Sequence, residues 1–374
     1  MSSLFQQTNI NDLILRNRTV RSATCDCLAD SVGHVTDKQI ELFSDLATGG
    51  VGLIISGITY AHVSGQIATH QNSLADDDCI PGLEQLTGAV HEHGGKVAIQ
   101  LFHGGRDRAE FLRGKAELAM GPSYIENDPY FPEQYRAITE DEIWEVISSF
   151  GIAAARAKQA GFDAVQLHAA HAFLPSQFLS PYANRRTDDW GGSLKNRLRI
   201  HREILEAIRR EVGDGYPLLI KLGVEDGFPG GLEFGEGLKA AQMVAAQGWD
   251  ALEISQGLRG RWYDGTEWRT GINSVDKEGF FRSWAKAVKQ KVDVPVIMVG
   301  GLRSPGLMEE VLQRGEADMV SMCRPLIRQP GLVGDWANGQ MDAGTCKSCN
   351  KCLEGLRSGH ELRCWQEGNH PSVP

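Results

Sequence analysis

Short apolar runs recur at intervals along the chain, and each is long enough for one buried strand. Segments with helical spacing of apolar residues separate them. Strands that are apolar on both faces belong to a sheet covered on both sides, and alternation with helices predicts parallel order. The eight runs are Thr19–Val20, Val51–Ile55, Val97–Leu101, Ala164–Leu167, Leu218–Ile220, Ala251–Ile254, Val294–Val299 and Met319–Met322. They predict an α/β fold of the (β/α)8 TIM-barrel class.

Helix signals between the runs agree with this architecture. Thr139 followed by Glu142 predicts a capping box, and Gly161 is placed to end that helix before the fourth strand. Gly248 is likewise placed to end a helix before the sixth strand. The alternative is a doubly wound open sheet, but no Gly-x-Gly-x-x-Gly follows a strand, so a Rossmann dinucleotide site has little support.

Composition narrows the class of partner. The chain has 374 residues, 41% hydrophobic and 23% charged, as in globular proteins with a substantial core. Its formal charge of −10 is spread along the chain, which argues against nucleic-acid and anionic membrane surfaces and favours a small-molecule substrate. The start lacks a secretory signal pattern, so we expect a cytoplasmic protein, with a homo-oligomer left open.

We expect two parts, a barrel over residues 1–335 and a Cys-rich extension over residues 336–374 that packs on or near it. Two long irregular stretches, Arg106–Ala137 and Gln256–Asn273, follow predicted strands. Chemistry in barrels lies on such loops, so both are candidate pocket walls, and Tyr263 is a candidate pocket residue.

The ends of the last two predicted strands suggest a phosphate site. Gly300 and Gly301 follow the seventh strand, and Arg324 follows the eighth. Loops at these places often bind phosphate in barrels, through close backbone amides and a cation. A tight turn with a surface arginine is the equally weighted alternative.

Polar residues also end buried strands. Lys221 ends the fifth strand and needs an anionic partner, which could be a reduced flavin or a core carboxylate such as Glu253. Gln100 ends the third strand, where its amide can donate to and accept from a ligand edge. His168 and His171 follow the fourth strand. Without a third zinc ligand in a known pattern, donation to a substrate oxygen fits the two imidazoles better than metal binding.

The motifs in order closely resemble those of the Old Yellow Enzyme family of FMN oxidoreductases, from about Leu4 to Pro330. The Ser-Ala-Thr variant resembles the branch containing 2,4-dienoyl-CoA reductases and trimethylamine dehydrogenase. The matching segments are Leu15–Arg18, Ser22–Thr24, Gly49–Gly57, Gln100–Arg106, His168–Arg199, Val299–Gly301 and Arg324–Pro325.

The resemblance implies a site and a mechanism. Reduced FMN, supplied with hydride by NAD(P)H, would pass hydride to an α,β-unsaturated carbonyl compound in a ping-pong cycle, and the histidines would bind the substrate oxygen. Cys25 matches a position where one subclass has a cysteine that tunes the flavin potential. The residues implied to contact FMN are Ala23, Thr24, Gly57, Gln100 and Lys221 around the ring, and Gly300, Gly301 and Arg324 at the phosphate.

One pocket residue departs from the family pattern. Phe173 stands where the family usually has a proton-donating tyrosine. A general acid contributes roughly 10²- to 10⁴-fold, so alkene reduction is expected to be slow unless water or another donor, such as Tyr60, Tyr182 or Tyr263, replaces it. The other interpretation is a different reaction, such as oxidation of an amine or alcohol.

Four of the eight cysteines lie close together near the C-terminus, Cys346, Cys349, Cys352 and Cys364. Four thiolates can ligate a [4Fe-4S] cluster or, less favoured here, zinc. The dienoyl-CoA reductase branch has a cluster at about this place with one more residue between its second and third cysteines. Reduced cysteines without metal are the third interpretation.

The sequence leaves four hypotheses for the function. An ene-reductase with FMN and NAD(P)H leads, and an FMN dehydrogenase of an amine or related donor is its enzymatic rival. A flavin electron carrier without turnover and, more remotely, a non-flavin barrel for a sugar phosphate complete the set.

Overall fold

The computed structural model describes residues 2–112, 114–259 and 267–366. Its centre is a closed barrel of eight parallel strands, and each of the eight predicted apolar runs overlaps one of them, so the predicted barrel is confirmed. In the order in which they pair around the barrel, the strands are β3 (Thr19–Arg21), β4 (Leu53–Tyr60), β5 (Val97–Phe102), β8 (Ala164–Ala169), β9 (Leu218–Gly223), β10 (Ala251–Ser255), β11 (Val296–Met298) and β12 (Met319–Met322).

Two small sheets lie outside the barrel. The antiparallel pair β1 (Thr8–Ile10) and β2 (Leu13–Leu15) packs its apolar side chains against the first residues of the barrel strands, such as Val20 and Leu219, and closes that end. The parallel pair β6 (Ala119–Gly121) and β7 (Tyr135–Ala137) lies within the stretch Arg106–Ala137. That stretch was expected to be irregular throughout, and the two short strands correct the expectation.

Helices surround the barrel and follow its strands. Thr139 and Glu142 form the predicted capping box, and Gly161 and Gly248 have positive φ where the chain leaves a helix. The helices are α1 (Asp37–Thr48), α2 (Ile80–Glu92), α3 (Arg108–Phe111), α4 (Glu140–Gln159), α5 (Leu174–Leu179), α6 (Leu194–Arg197), α7 (Arg199–Val212), α8 (Phe234–Gln247), α9 (Arg282–Lys289), α10 (Pro305–Gln313), α11 (Arg324–Arg328), α12 (Leu332–Ala337) and α13 (Lys351–Arg357). In the described part of the chain, none of them is long and apolar enough to span a membrane.

The segment after α12 turns back over the carboxyl ends of the barrel strands. The Gly344 amide donates to the Arg303 carbonyl (2.7 Å), and the Gly271 amide donates to the Ser348 carbonyl (3.1 Å). The Asn350 side-chain amide donates to the carbonyl of Trp268 (2.8 Å). These bonds hold the segment against the loops where barrel enzymes carry their chemistry.

A buried carboxylate organises the barrel interior near that end. Glu253 is fully buried on β10 and accepts hydrogen bonds from Ser22 (2.6 Å), Lys221 (3.1 Å) and Gln166 (3.0 Å). Gln166 in turn accepts from the Gln100 side-chain amide (2.7 Å). Burial alone would raise the pKa of Glu253, but the Lys221 ammonium and these hydrogen bonds outweigh it and lower the pKa. The network thus fixes side chains from several strands.

Substitution of Glu253 tests this network. In Glu253→Gln the Lys221 ammonium remains buried without its counter-charge, so the free energy of unfolding should fall by about 3–5 kcal/mol in urea titrations. Glu253→Gln combined with Lys221→Met should recover part of the loss. The same change at the exposed pair of Glu206 with Arg202 should cost only about 0.3–0.5 kcal/mol. Equal losses in Glu253→Gln and Glu206→Gln would contradict the proposed role of the network.

Candidate functional site

A cavity of about 240 Å³ opens at the carboxyl ends of the barrel strands. It brings together residues from nearly every strand and from the segment after α12. The predicted site residues in its wall are Ala23, Thr24, Cys25, Gln100, His168, His171, Phe173, Lys221, Gly300, Gly301 and Arg324.

Two of the predicted cofactor and substrate-pocket residues are not among these. Gly57 lies behind the wall, where a Cβ would be 2.8 Å from the Thr24 carbonyl oxygen, so its role is to let Thr24 lie close to β4. Tyr263 lies outside the described residues. Tyr60 and Tyr182 bond elsewhere, to the Val32 carbonyl and to Asp128, and the described residues of the cavity wall include no tyrosine.

The two histidines lie side by side at the end of β8. Their ring centroids are 4.9 Å apart, and the backbone has positive φ at His171 (57°) and Ala172 (68°), which turns the chain back after the strand. Nδ1 of His168 accepts the Ala170 amide hydrogen (3.3 Å), which leaves its proton on Nε2, free to donate. Nε2 of His171 is bonded to the Ser255 hydroxyl (2.7 Å). Both rings are therefore held in place.

The surroundings of both imidazoles favour their neutral form. Burial, followed by the positive charges of Lys221 and Arg259, lowers the pKa of His168 well below its ordinary value. Burial and the neighbouring His168, then Lys221 and Arg259, lower the pKa of His171 in the same way. A neutral imidazole has one N–H, so each ring can donate one hydrogen bond without bringing a full charge.

Phe173 completes this wall. Its ring meets the His168 ring edge to face (4.8 Å between centroids) and the Phe102 ring in the same manner (4.4 Å). The Arg259 guanidinium lies 6.0 Å from its centroid. Phe173 thus presents a buried hydrocarbon edge to the cavity.

On the neighbouring strand β5, Gln100 has an amide oxygen without a partner among the described residues. Gln100 is fully buried, and its side-chain nitrogen donates to Gln166. A buried acceptor without a partner costs about 1–3 kcal/mol, so a ligand N–H at this place would relieve a penalty. Lys221 is paired with Glu253 and is also present in the cavity wall.

The backbone of two glycines and the side chain of Arg324 form another part of the cavity wall. Gly300 and Gly301 have φ of 133° and 73°, and a Cβ on Gly301 would lie 2.9 Å from the Phe280 ring. Residues with side chains rarely adopt this backbone. Arg324 begins α11, and its Nη1 donates to the Arg269 carbonyl (2.7 Å) and to Asn350 Oδ1 (2.5 Å). The cation is thus held in the cavity wall beside accessible backbone.

Other wall residues were not singled out from the sequence. Ser255 orients His171, Asn350 orients Arg324, and Cys323 Sγ lies 3.0 Å from the Thr24 hydroxyl. Ser255 and Cys323 stand at the ends of barrel strands, a position that could have marked them. Nothing in the local sequence marks Asn350, because its role depends on the folding back of the C-terminal segment.

The four C-terminal cysteines surround a second, smaller cavity next to the first. Burial raises the pKa of the Cys346 thiol, and burial with Cys323 nearby raises that of Cys352 to about 12. Among residues 2–112, 114–259 and 267–366, no three Cys, His, Asp or Glu side chains are placed to hold a metal ion. The metal prediction for these cysteines finds no support in this arrangement.

The main cavity fits FMN, the group that the sequence resemblance implies. It offers an unpaired amide acceptor, a buried ammonium and, at the other end, glycine backbone beside a guanidinium. These are the donors and acceptors that a flavin edge and a phosphate require.

Comparisons with known proteins agree with this chemistry. The model of the NADH:flavin oxidoreductase / NADH oxidase family matches residues 3–342. The chain is 33% identical to the NADH oxidase of Thermoanaerobacter brockii, over 97% of this chain and 55% of that protein. Among solved structures, 2-naphthoyl-CoA reductase superposes with a TM-score of 0.88 at 30% identity, over 97% of this chain and 56% of that one. Histamine dehydrogenase from Rhizobium gives 0.83 at 28% identity, over 99% and 54%.

The chain spans about half the length of these relatives, and the shared half includes the barrel and the cavity at its carboxyl end. The family model covers nearly all of that barrel. This chain belongs to the NADH:flavin oxidoreductase / NADH oxidase family, the Old Yellow Enzyme family that its motifs resemble.

Proposed function

We propose that this protein is an FMN-dependent NAD(P)H oxidoreductase that reduces the activated double bond of α,β-unsaturated carbonyl compounds. The observation that carries the proposal is that His168 and His171 line the same cavity as the Gln100 oxygen and the wall of Gly300, Gly301 and Arg324. A flavin site and an oxygen-binding site thus share one cavity.

Each wall has a part in holding the cofactor. Gly300, Gly301 and Arg324 would bind the phosphate, Gln100 would accept a hydrogen bond from the ring edge, and Lys221 would face its electron-rich side. Ala23 and Thr24 would pack beside the ring. Bound FMN would supply the hydride chemistry between NAD(P)H and the β carbon of the acceptor.

The histidines would act on the substrate oxygen. Negative charge develops on that oxygen as hydride reaches the β carbon, and the two N–H groups would stabilise it. Because both rings are neutral, they would strengthen their hydrogen bonds in the transition state without transferring a proton to the oxygen. Rings held by Ser255 and by the Ala170 amide need little reorganisation, which favours such stabilisation.

The α carbon would receive its proton from water. Phe173 has no exchangeable proton, and no tyrosine of the described residues lines the wall. The reaction would therefore lack the roughly 10²- to 10⁴-fold contribution of a positioned acid.

Oxidation of an amine is the second candidate, since it needs no acid at the α carbon. The absence of the tyrosine hydroxyl at Phe173 favours it. Against it, the Arg259 guanidinium lies 4.9 Å from the Trp268 ring and 6.0 Å from the Phe173 ring, so the aromatic faces that would attract an ammonium group already contact a cation. The carbonyl acceptor therefore remains the better fit.

Anaerobic spectroscopy of the purified protein tests the proposal. We expect flavin absorption in the blue, bleaching by NADH or NADPH, and recovery when cyclohexenone is added. Bleaching by an amine instead would favour the second candidate, and bleaching without recovery by any enone would indicate an electron carrier. Colourless protein that does not take up FMN would contradict a flavin site. As a control, riboflavin should bind at least about tenfold more weakly than FMN, because it lacks the phosphate that pairs with Arg324.

Phe173→Tyr tests the proton step. The new hydroxyl would project from the ring beside His168 and should speed single-turnover reoxidation by cyclohexenone by about 10-fold or more. The rate of reduction by NAD(P)H, which needs no proton at carbon, serves as the internal control. An unchanged reoxidation rate in stopped-flow traces would count against the missing acid as the limiting factor.

We also propose that Cys346, Cys349, Cys352 and Cys364 hold a [4Fe-4S] cluster. The proposal rests on the sequence spacing of the four cysteines and on the small cavity that all four line. It requires the thiols to move, because among the described residues no three such groups are placed to hold a metal ion. Thiols with raised pKa must lose their protons when they bind metal, so binding would release protons and order the segment.

Metal analysis of anaerobically purified protein decides this point. A cluster predicts about four iron and four sulfide per chain and a broad absorption that dithionite bleaches. Cys349→Ser should lower the iron content, while Cys79→Ser, a buried thiol outside the cavity, should not. One zinc per chain would indicate the tetrahedral alternative, and neither metal would refute both.

A further inference from the structure

Two cysteines at the edge of the main cavity lie in contact with each other. Cys25 and Cys27 are separated by one residue on the loop after β3, and their Sγ atoms are 3.3 Å apart. Cys27 has φ of 50°, a left-handed conformation that is uncommon for residues with a side chain. This turn allows side chains two residues apart to meet. Both residues are partly exposed, and Cys25 is in the cavity wall.

The loop that carries them is held firmly. Asp26, between the two cysteines, is buried, and its Oδ1 accepts from the Leu28 amide (3.1 Å) and from the Gln39 side chain (3.1 Å). Behind it, Gly57 has no side chain and lets the loop lie against β4. The hydrogen bonds of Asp26 and the packing against Gly57 therefore fix the backbone that holds the two sulfurs in contact.

The two thiols differ chemically. The hydrogen bond from Cys25 lowers the pKa of Cys27, against the opposing effect of burial. The same contact, with burial, raises the pKa of Cys25. Cys27 is thus the thiol that becomes the nucleophilic thiolate, and Cys25 is the partner that keeps its proton until later.

We propose that Cys25 and Cys27 form a redox-active dithiol that reduces small disulfides by thiol–disulfide exchange. The Cys27 thiolate attacks one sulfur of R–S–S–R, forms a mixed disulfide and releases one thiolate. Cys25 then loses its proton and attacks Cys27 Sγ, which forms the Cys25–Cys27 disulfide and releases the second thiolate. The protein loses two electrons and two protons, and the small disulfide becomes two thiols. A disulfide bond is about 2.05 Å long, so the sulfurs need to approach by only about 1.3 Å.

Oxidation of the pair changes the main cavity. The Cys25 thiol lies in the same wall as Ala23 and Thr24, so the disulfide replaces an S–H group there with a sulfur turned toward Cys27. Oxidation of the dithiol would thus change the surface of the cavity in which the proposed reaction takes place. The exchange itself needs only the two cysteines and the disulfide, and its test is independent of flavin and of any enone.

Peptide mass analysis of the purified protein tests the proposal. The protein is reduced, freed of reductant, treated with oxidised glutathione, alkylated and digested with trypsin. Cleavage after Arg21 and Lys38 gives a peptide with Cys25 and Cys27 as its only cysteines. We expect this peptide to carry no alkyl group, to have lost two hydrogen atoms and to regain two alkylated thiols after reduction with dithiothreitol.

Single variants separate the two roles. In Cys25→Ser, Cys27 should retain a stable glutathione adduct and react about threefold to tenfold more slowly, because its thiolate loses a hydrogen bond. In Cys27→Ser, Cys25 should react more slowly still. Cys79→Ser is the matched control, because burial raises the pKa of this thiol to about 11, and the variant should leave the pair's oxidation unchanged. Two free thiols in the wild-type peptide, or one glutathione on each cysteine, would overturn the proposal.

Discussion

The carboxylate of Glu253 is the constraint on which the site depends. A charge at the centre of a barrel is tolerated only with a counter-charge and full hydrogen bonding, and here these come from Lys221, Ser22 and Gln166. Its partners belong to different strands, so satisfying the carboxylate also sets the positions of their side chains. Through Gln166 the same network turns the Gln100 amide so that its nitrogen is used and its oxygen remains free. The free acceptor of the cavity is thus a consequence of the buried charge.

The positive charges near the cavity determine what the histidines can do. Lys221 and Arg259 each disfavour protonation of His168 and His171, in addition to the larger effect of burial. The pair therefore resembles an oxyanion hole more than an acid and base. An enzyme with this arrangement can stabilise charge on a substrate oxygen but needs another source for a proton at carbon. Phe173 cannot donate a proton, so stabilising the oxygen and protonating the carbon depend on different groups.

Most of the barrel could be predicted because each strand is an apolar run with its own boundaries. The glycines after β11 could be singled out because barrels often bind ligands at the loop after this strand. The side-chain contacts within the site could not be predicted. Whether Lys221 pairs with Glu253 depends on the register between β9 and β10, and the structure shows this ion pair with Lys221 also in the cavity wall. The placement of Gly57 behind Thr24 follows from an irregularity in β4 between Ile55 and Ile58, which periodicity does not reveal.

The C-terminal segment links the two cavities of this molecule. Asn350 bonds to the Arg324 guanidinium in the main cavity, and Arg324, Asn350 and Cys352 are also in the wall of the cavity among the four cysteines. A change in the cysteine segment that moves Asn350 would therefore alter the position of the Arg324 guanidinium in the main cavity. Conversely, an anion that draws Arg324 toward the glycines would act on Asn350 and on the segment behind it. The extension is thus part of the wall of the site, and the two cavities share one arginine through which occupancy of either can affect the other.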